Sequence, residues 1–122
     1  ENNHIEIRNG SVMRDLLFVE DCIDAVLKLA VTSTAQDNIF NIGSGHIVSI
    51  TDVAKAAIQA SGLDGVEITD LEEKIAYSPT AIMADIDKVQ GTIDWFPKTT
   101  LKDGLKKMWD AMEQGNGAGV IK

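Results

Sequence analysis

Arg14 is the first residue whose type and place could do chemistry. It precedes an apolar stretch, stands beside Asp15 and follows the turn signal Asn9-Gly10-Ser11. A guanidinium offers a planar fork of donors that suits a phosphate, and it equally suits a surface ion pair of little energetic weight. Position alone leaves both readings open. Gly43-Ser44-Gly45 is the second candidate. A P-loop would need Gly-Lys-Ser/Thr after four intervening residues, and a dinucleotide fingerprint would need a glycine at position 48, where Val48 stands. Taken by itself, the tripeptide reads as a turn.

The remaining reactive residues have simpler readings. Asp85 and Asp87 are two apart, but helix capping accounts for Asp85, and no third oxygen ligand is spaced for Ca²⁺ or Mg²⁺. No metal ligand set is therefore expected. His4 and His46 lack a nearby Ser or Cys nucleophile with a third partner and read as surface residues. Cys22, the single cysteine, can form neither an internal disulfide nor a Cys-based zinc site, and packing explains it. Trp95, Trp109 and the four methionines fall mostly at core spacings. No catalytic residue is identified.

These residues must be carried by short elements. His4 to Arg8 alternates apolar and polar positions and predicts a strand, and the apolar residues 16 to 19 predict another. Asp21, with Asp24 three residues on, reads as the N-cap of a helix whose stripe is Ile23, Val26, Leu27 and Ala30. Asn38 to Ile42 reads as a buried strand running into the Gly-Ser-Gly turn, and residues 47 to 50 as extended. Ser49 with Asp52 caps a helix carrying Ile50, Val53, Ala54, Ala57 and Ile58, which Gly62 ends. Val66 to Thr69 predicts a strand. Residues 70 to 81 give no clear pattern, and Pro79 blocks a helix there. Asp85 caps a short helix with Ile86, Val89 and Ile93, and Trp95-Phe96-Pro97 forms an apolar knot in a loop. Thr100 with Asp103 caps a last helix whose inner face is Leu101, Leu105, Met108, Trp109 and Met112. The succession predicts a mixed α/β (α+β) domain with short strands.

Composition bounds the function. The 122 residues suggest one domain, over residues 1–114, with a glycine-containing flexible tail over 115–122. With 44% apolar and 25% charged residues the chain is globular in composition. No apolar run approaches the ~20 residues of a membrane span. The start lacks the basic flank and apolar stretch of a signal peptide, and beginning on Glu1 it reads as a cut. A net charge of −8 disfavours nucleic acid as a partner while allowing a small anion held by local groups. A lone cysteine fits a reducing compartment, so a cytoplasmic location is expected.

Three segments, in order, resemble the NAD-dependent epimerase/dehydratase family, the extended short-chain dehydrogenases that act on nucleotide sugars. RDLLFVEDCIDAVLKLA (14–30) resembles its R-D-[FWY]-[IVL]-[YFH]-V-x-D segment. NIFNIGSGHIVSITDVAKAAIQASG (38–62) is similar to its Y-N-[IV]-G-[STG]-G segment with the capped helix that follows. ADIDKVQGTIDWFPKTTLKDGLKKMWDAM (84–112) resembles its closing A-D-x-S-K…L-G-W-x-P region.

The resemblance covers most of the chain but only the C-terminal, substrate-binding portion of the family architecture. It implies a domain that binds a nucleotide sugar, UDP-, dTDP- or GDP-linked, as in UDP-glucose 4-epimerase. By resemblance Arg14 contacts the diphosphate, Asn41 lies near the phosphate or ribose, and Gly43 and Gly45 permit close backbone approach. Lys74 stands in for the arginine of the family's R-P-G-D, as a point charge rather than a fork. Leu16 replaces a usual aromatic residue and Phe40 the motif tyrosine. NAD(P) would be held by a separate N-terminal Rossmann domain, with GxxGxxG and the catalytic Tyr-x-x-x-Lys. Neither motif occurs here, and Tyr77 is followed at the fourth position by Ala81. The resemblance thus implies a lobe without cofactor or catalysis of its own, whose exposed docking face would promote self-association. The alternative is a freestanding, non-enzymatic binding module of the same fold.

Overall fold

The computed structural model describes residues 3–73 and 79–115. Along the chain the elements are β1 (His4–Arg8), β2 (Met13–Asp15), α1 (Val19–Val31), a 3-10 turn (Ser33–Ala35), β3 (Ile47–Ser49), α2 (Ile50–Ser61), β4 (Glu67–Leu71), β5 (Ala81–Ile82), α3 (Asp87–Thr92) and α4 (Leu101–Gly115). They make the expected mixed α/β domain with small sheets. β1 pairs in parallel with β4, from His4 opposite Glu67 to Arg8 opposite Leu71. β2 is the central strand of the second sheet, antiparallel to β3 on one side and parallel to β5 on the other.

The capped helices form as their sequences predict. Ser49 Oγ accepts from the Asp52 amide at 3.0 Å and starts α2, and Gly62, at φ 67°, closes it in the left-handed region. Thr100 Oγ1 accepts from the Asp103 amide at 3.2 Å ahead of α4. α2 packs against α4 on one side and against β1 on another. The main core is Ala25, Val89, Ile93 and Trp95, joined by the half-buried Leu17, Leu29, Phe40, Ile42 and Ile86.

Five local expectations are corrected. The strand falls on Met13–Asp15 rather than 16–19, because residues 13–15 lie between β3 and β5 and both supply hydrogen bonds. Asp21 does not cap α1: Phe18 is the N-cap, and Asp21 is buried inside the first turn with its carboxylate turned to another loop. Residues 38–42 are not a strand, since no strand runs beside them among the described residues, and Phe40 and Ile42 are placed by packing on the core. Asp85 lies one residue before the N-cap Ile86 and accepts from the Asp87 amide at 3.1 Å. The stripe of α1 faces outward: Ile23 is 52% and Leu27 62% exposed, while the opposite side, with Ala25, enters the core.

Other expectations fared unevenly. On α4, Met108 and Met112 are more than half exposed. Trp95 is fully packed while the neighbouring Phe96 stays exposed. Of the expected tail, Gly115 ends α4 and the rest lies outside the described residues. No helix among the described residues is long and apolar enough to cross a membrane.

Candidate functional site

Strand β2 brings Arg14 and Asp15 to one wall of a cleft of about 610 Å³. The stretch Phe40–Gly43 forms another wall, and Ile82 to Asp85, following β5, complete it. Arg14, Asn41 and Gly43, expected from sequence to act together, therefore meet at one site, although 26 residues of chain separate the first two. Arg14 is the only cation among the described lining residues. Its Nη1 donates to the carbonyls of Met13 at 2.8 Å and Pro79 at 3.1 Å, which anchors the guanidinium where β5 begins. Asn41 is exposed beside it. Lys74, the fourth candidate, lies outside the described residues.

Asp15 organises the cleft, and sequence reading gave it no role beyond standing next to Arg14. Its Oδ1 accepts from the Ser44 amide at 2.7 Å and from Ser44 Oγ at 2.5 Å. Its Oδ2 accepts from the amides of Gly45 at 3.0 Å and Ala84 at 3.1 Å. Burial opposes ionisation, but these four hydrogen bonds outweigh it and hold the carboxyl below its ordinary pKa. No local spacing signals this, since Ser44 and Ala84 lie 29 and 69 residues away in sequence.

The Gly-Ser-Gly turn thus presents its amides to an internal carboxylate. The close approach allowed by Gly43 is also internal: a Cβ there would lie 2.5 Å from the Ala84 Cβ and 2.6 Å from Asp15 Oδ2. Phe40, in place of the family tyrosine, lies under Lys88, whose Nζ is 4.9 Å from the ring centroid and donates to the Ile39 carbonyl at 2.8 Å.

A second cleft of about 380 Å³, lined mainly by apolar residues of β1, α2 and α4, shares no residue with this one and holds no cluster of charged groups. Among the described residues no group of three or more His, Cys, Asp or Glu is placed to hold a metal ion.

No family model matches the sequence. Known proteins nonetheless resemble it along most of its length. It is 37% identical over 106 residues to CDP-paratose 2-epimerase of Salmonella typhi, covering 84% of this chain and 30% of that protein. It is 32% identical over 103 residues to GDP-L-fucose synthase of Sinorhizobium fredii, covering 84% of this chain and 32% of that protein. Its fold matches the crystal structure of UDP-glucuronic acid 4-epimerase from Bacillus cereus in complex with NAD, with a TM-score of 0.74 and 25% identity over 93% of this chain and 35% of that one. The chain belongs to the NAD-dependent epimerase/dehydratase family and spans about a third of the length of the relatives it matches.

Proposed function

We propose that this chain is the nucleotide-sugar-binding lobe of an NAD(P)-dependent sugar-nucleotide epimerase or dehydratase, completed by an N-terminal cofactor lobe. One observation carries the reading: Arg14, Asn41 and Gly43, remote in sequence, line a single cleft in which Arg14 is the only described cation. A guanidinium with a neutral amide beside it suits a diphosphate, the first through charge-assisted bonds and the second as a further donor. These contacts hold the diphosphate and orient the sugar toward the partner lobe. The matched relatives carry CDP, GDP and UDP in their names, which supports testing nucleotides of each base.

NAD(P) belongs to the other lobe. The Gly43–Gly45 turn supports this reading: the amides of Ser44 and Gly45, the donors a glycine turn would offer a pyrophosphate, are taken by Asp15. Redox chemistry therefore depends on the completed protein. The outward apolar stripe of α1, with Ile39 at 86% exposure nearby in sequence, supports a face that the second lobe covers. Left bare, such a face supports self-association.

The test is titration of the chain with UDP, dTDP, GDP and CDP, followed by backbone amide shifts. Shifts at Arg14, Asn41 and Ser44 with at least one nucleotide are expected. No shift there with any of the four would overturn nucleotide binding by this lobe and leave the freestanding interaction module in its place.

A further inference from the structure

We propose that Asp15 is a positioning residue for the nucleotide cleft, locking the Gly43–Gly45 turn and the Ala84 backbone onto β2 so that Arg14 and Asn41 face one ligand. This deepens the nucleotide-binding reading and rests on it. Asp15 is covalently next to Arg14 and so fixes the strand that carries the cation. Through Ser44 and Gly45 it fixes the turn that follows Asn41 by two residues. Through Ala84 it fixes the third wall of the cleft. One carboxylate thereby ties together all three chain segments that line the site.

The joint is closed as well as bonded. Gly43 brings its backbone against Ala84 and Asp15 so tightly that an added Cβ would approach both within 2.6 Å. Ser44 Oγ also bridges outward, accepting from the His46 amide at 3.2 Å and lying 3.0 Å from the His46 carbonyl, which keeps the turn in one shape. A carboxylate accepts at all four positions. An amide in its place turns an NH₂ toward backbone donors and must break contacts on one side.

The test uses the 122-residue chain with Asp15→Asn, and Ser44→Ala as a milder variant that keeps the carboxylate. Three quantities are read well below each variant's melting midpoint: the dissociation constant for UDP, GDP and CDP, hydrogen exchange at the Ser44, Gly45 and Ala84 amides, and the melting midpoint itself. D15N is expected to exchange faster at those three amides and to bind the preferred nucleotide about tenfold more weakly or worse, the scale at which misplaced groups lose effect. S44A should give a smaller loss of the same kind. A residue needed only for stability would lower the midpoint and leave the affinity of the folded protein unchanged, and that result overturns the proposal. Should D15N not fold, S44A decides: wild-type affinity with faster exchange counts against positioning. Should the wild-type chain bind none of these three nucleotides nor dTDP, the nucleotide reading fails. Exchange then decides Asp15 alone, and unchanged exchange in D15N removes its structural basis too.

Discussion

The indole of Trp95 donates to the main-chain carbonyl of Asp21 at 3.0 Å, while the Asp21 carboxylate accepts the amides of Lys98 and Thr99 at 3.1 and 2.8 Å. The first turn of α1 and the loop ahead of α4 are thus clasped in both directions. Trp95 is 1% and Asp21 6% exposed, so the indole bond is shielded from water and the two carboxylate bonds are partly so.

Removing the carboxylate strands two backbone donors that are partly shielded from water. Asp21→Ala should cost roughly 2–3 kcal/mol, the scale of unpaired buried polar groups and lost charged hydrogen bonds. Asp21→Asn, which keeps an acceptor oxygen, should cost less. Urea unfolding followed by tryptophan fluorescence measures both, and equal stabilities for D21A and wild type would contradict the clasp.

Acid should weaken the fold through Asp15. Its carboxyl titrates below the ordinary 3.8 because four hydrogen bonds more than offset its burial. A group with a depressed folded pKa contributes stability that is complete above its unfolded pKa and is lost as pH falls through the folded one. The difference in unfolding free energy between wild type and Asp15→Asn should therefore be constant from neutral pH to about pH 5 and shrink below about pH 4. Chemical denaturation across that range reads it directly, and a difference that grows on acidification would reverse the assignment.

Arg14 should govern affinity more than folding. Its Nη1 holds two backbone carbonyls, so Arg14→Ala carries some stability cost, but its larger effect should be on nucleotide diphosphates, with affinity falling tenfold or more from the loss of charged hydrogen bonds of about 1.5–3 kcal/mol. Arg14→Lys should recover only part, since an ammonium replaces the fork by a point charge. Nucleosides lacking phosphate should bind wild type and both variants alike. Calorimetric titration distinguishes the cases.

The bare face of α1 should make the isolated chain self-associate. Leu27→Glu with Val31→Glu places two charges on residues already 62% and 86% exposed, so helix content should be unchanged while association weakens. Light scattering against concentration tests this, and a wild-type chain that stays monomeric throughout would remove the self-association argument.

How far the sequence was legible follows from the range of the interactions involved. The capping pairs Ser49/Asp52 and Thr100/Asp103 and the stop at Gly62 were readable because each is closed within a few residues. Arg14, Asn41 and Gly43 were readable only through resemblance; nothing in their spacing says that they meet. Residues 38–42 misled because an apolar run looks the same whether it joins a ladder or only packs a core. The stripe of α1 misled in the same way: periodicity identified a helix face without saying what lies against it. Asp21 and Asp15 were read as a cap and a neighbour because short-range uses of an aspartate are the ones a sequence displays. Both instead serve partners 29 to 78 residues away.

The pairing of β1 with β4 bears on the order in which the chain assembles. His4 meets Glu67, so 62 intervening residues must be gathered before the first rung of that ladder can form. Closing so long a loop costs entropy before any contact rewards it, whereas the capped α2 needs only its own residues to begin. By this argument the β1–β4 ladder, like the still longer-range pairing of β2 with β5, should form after the capped helix α2.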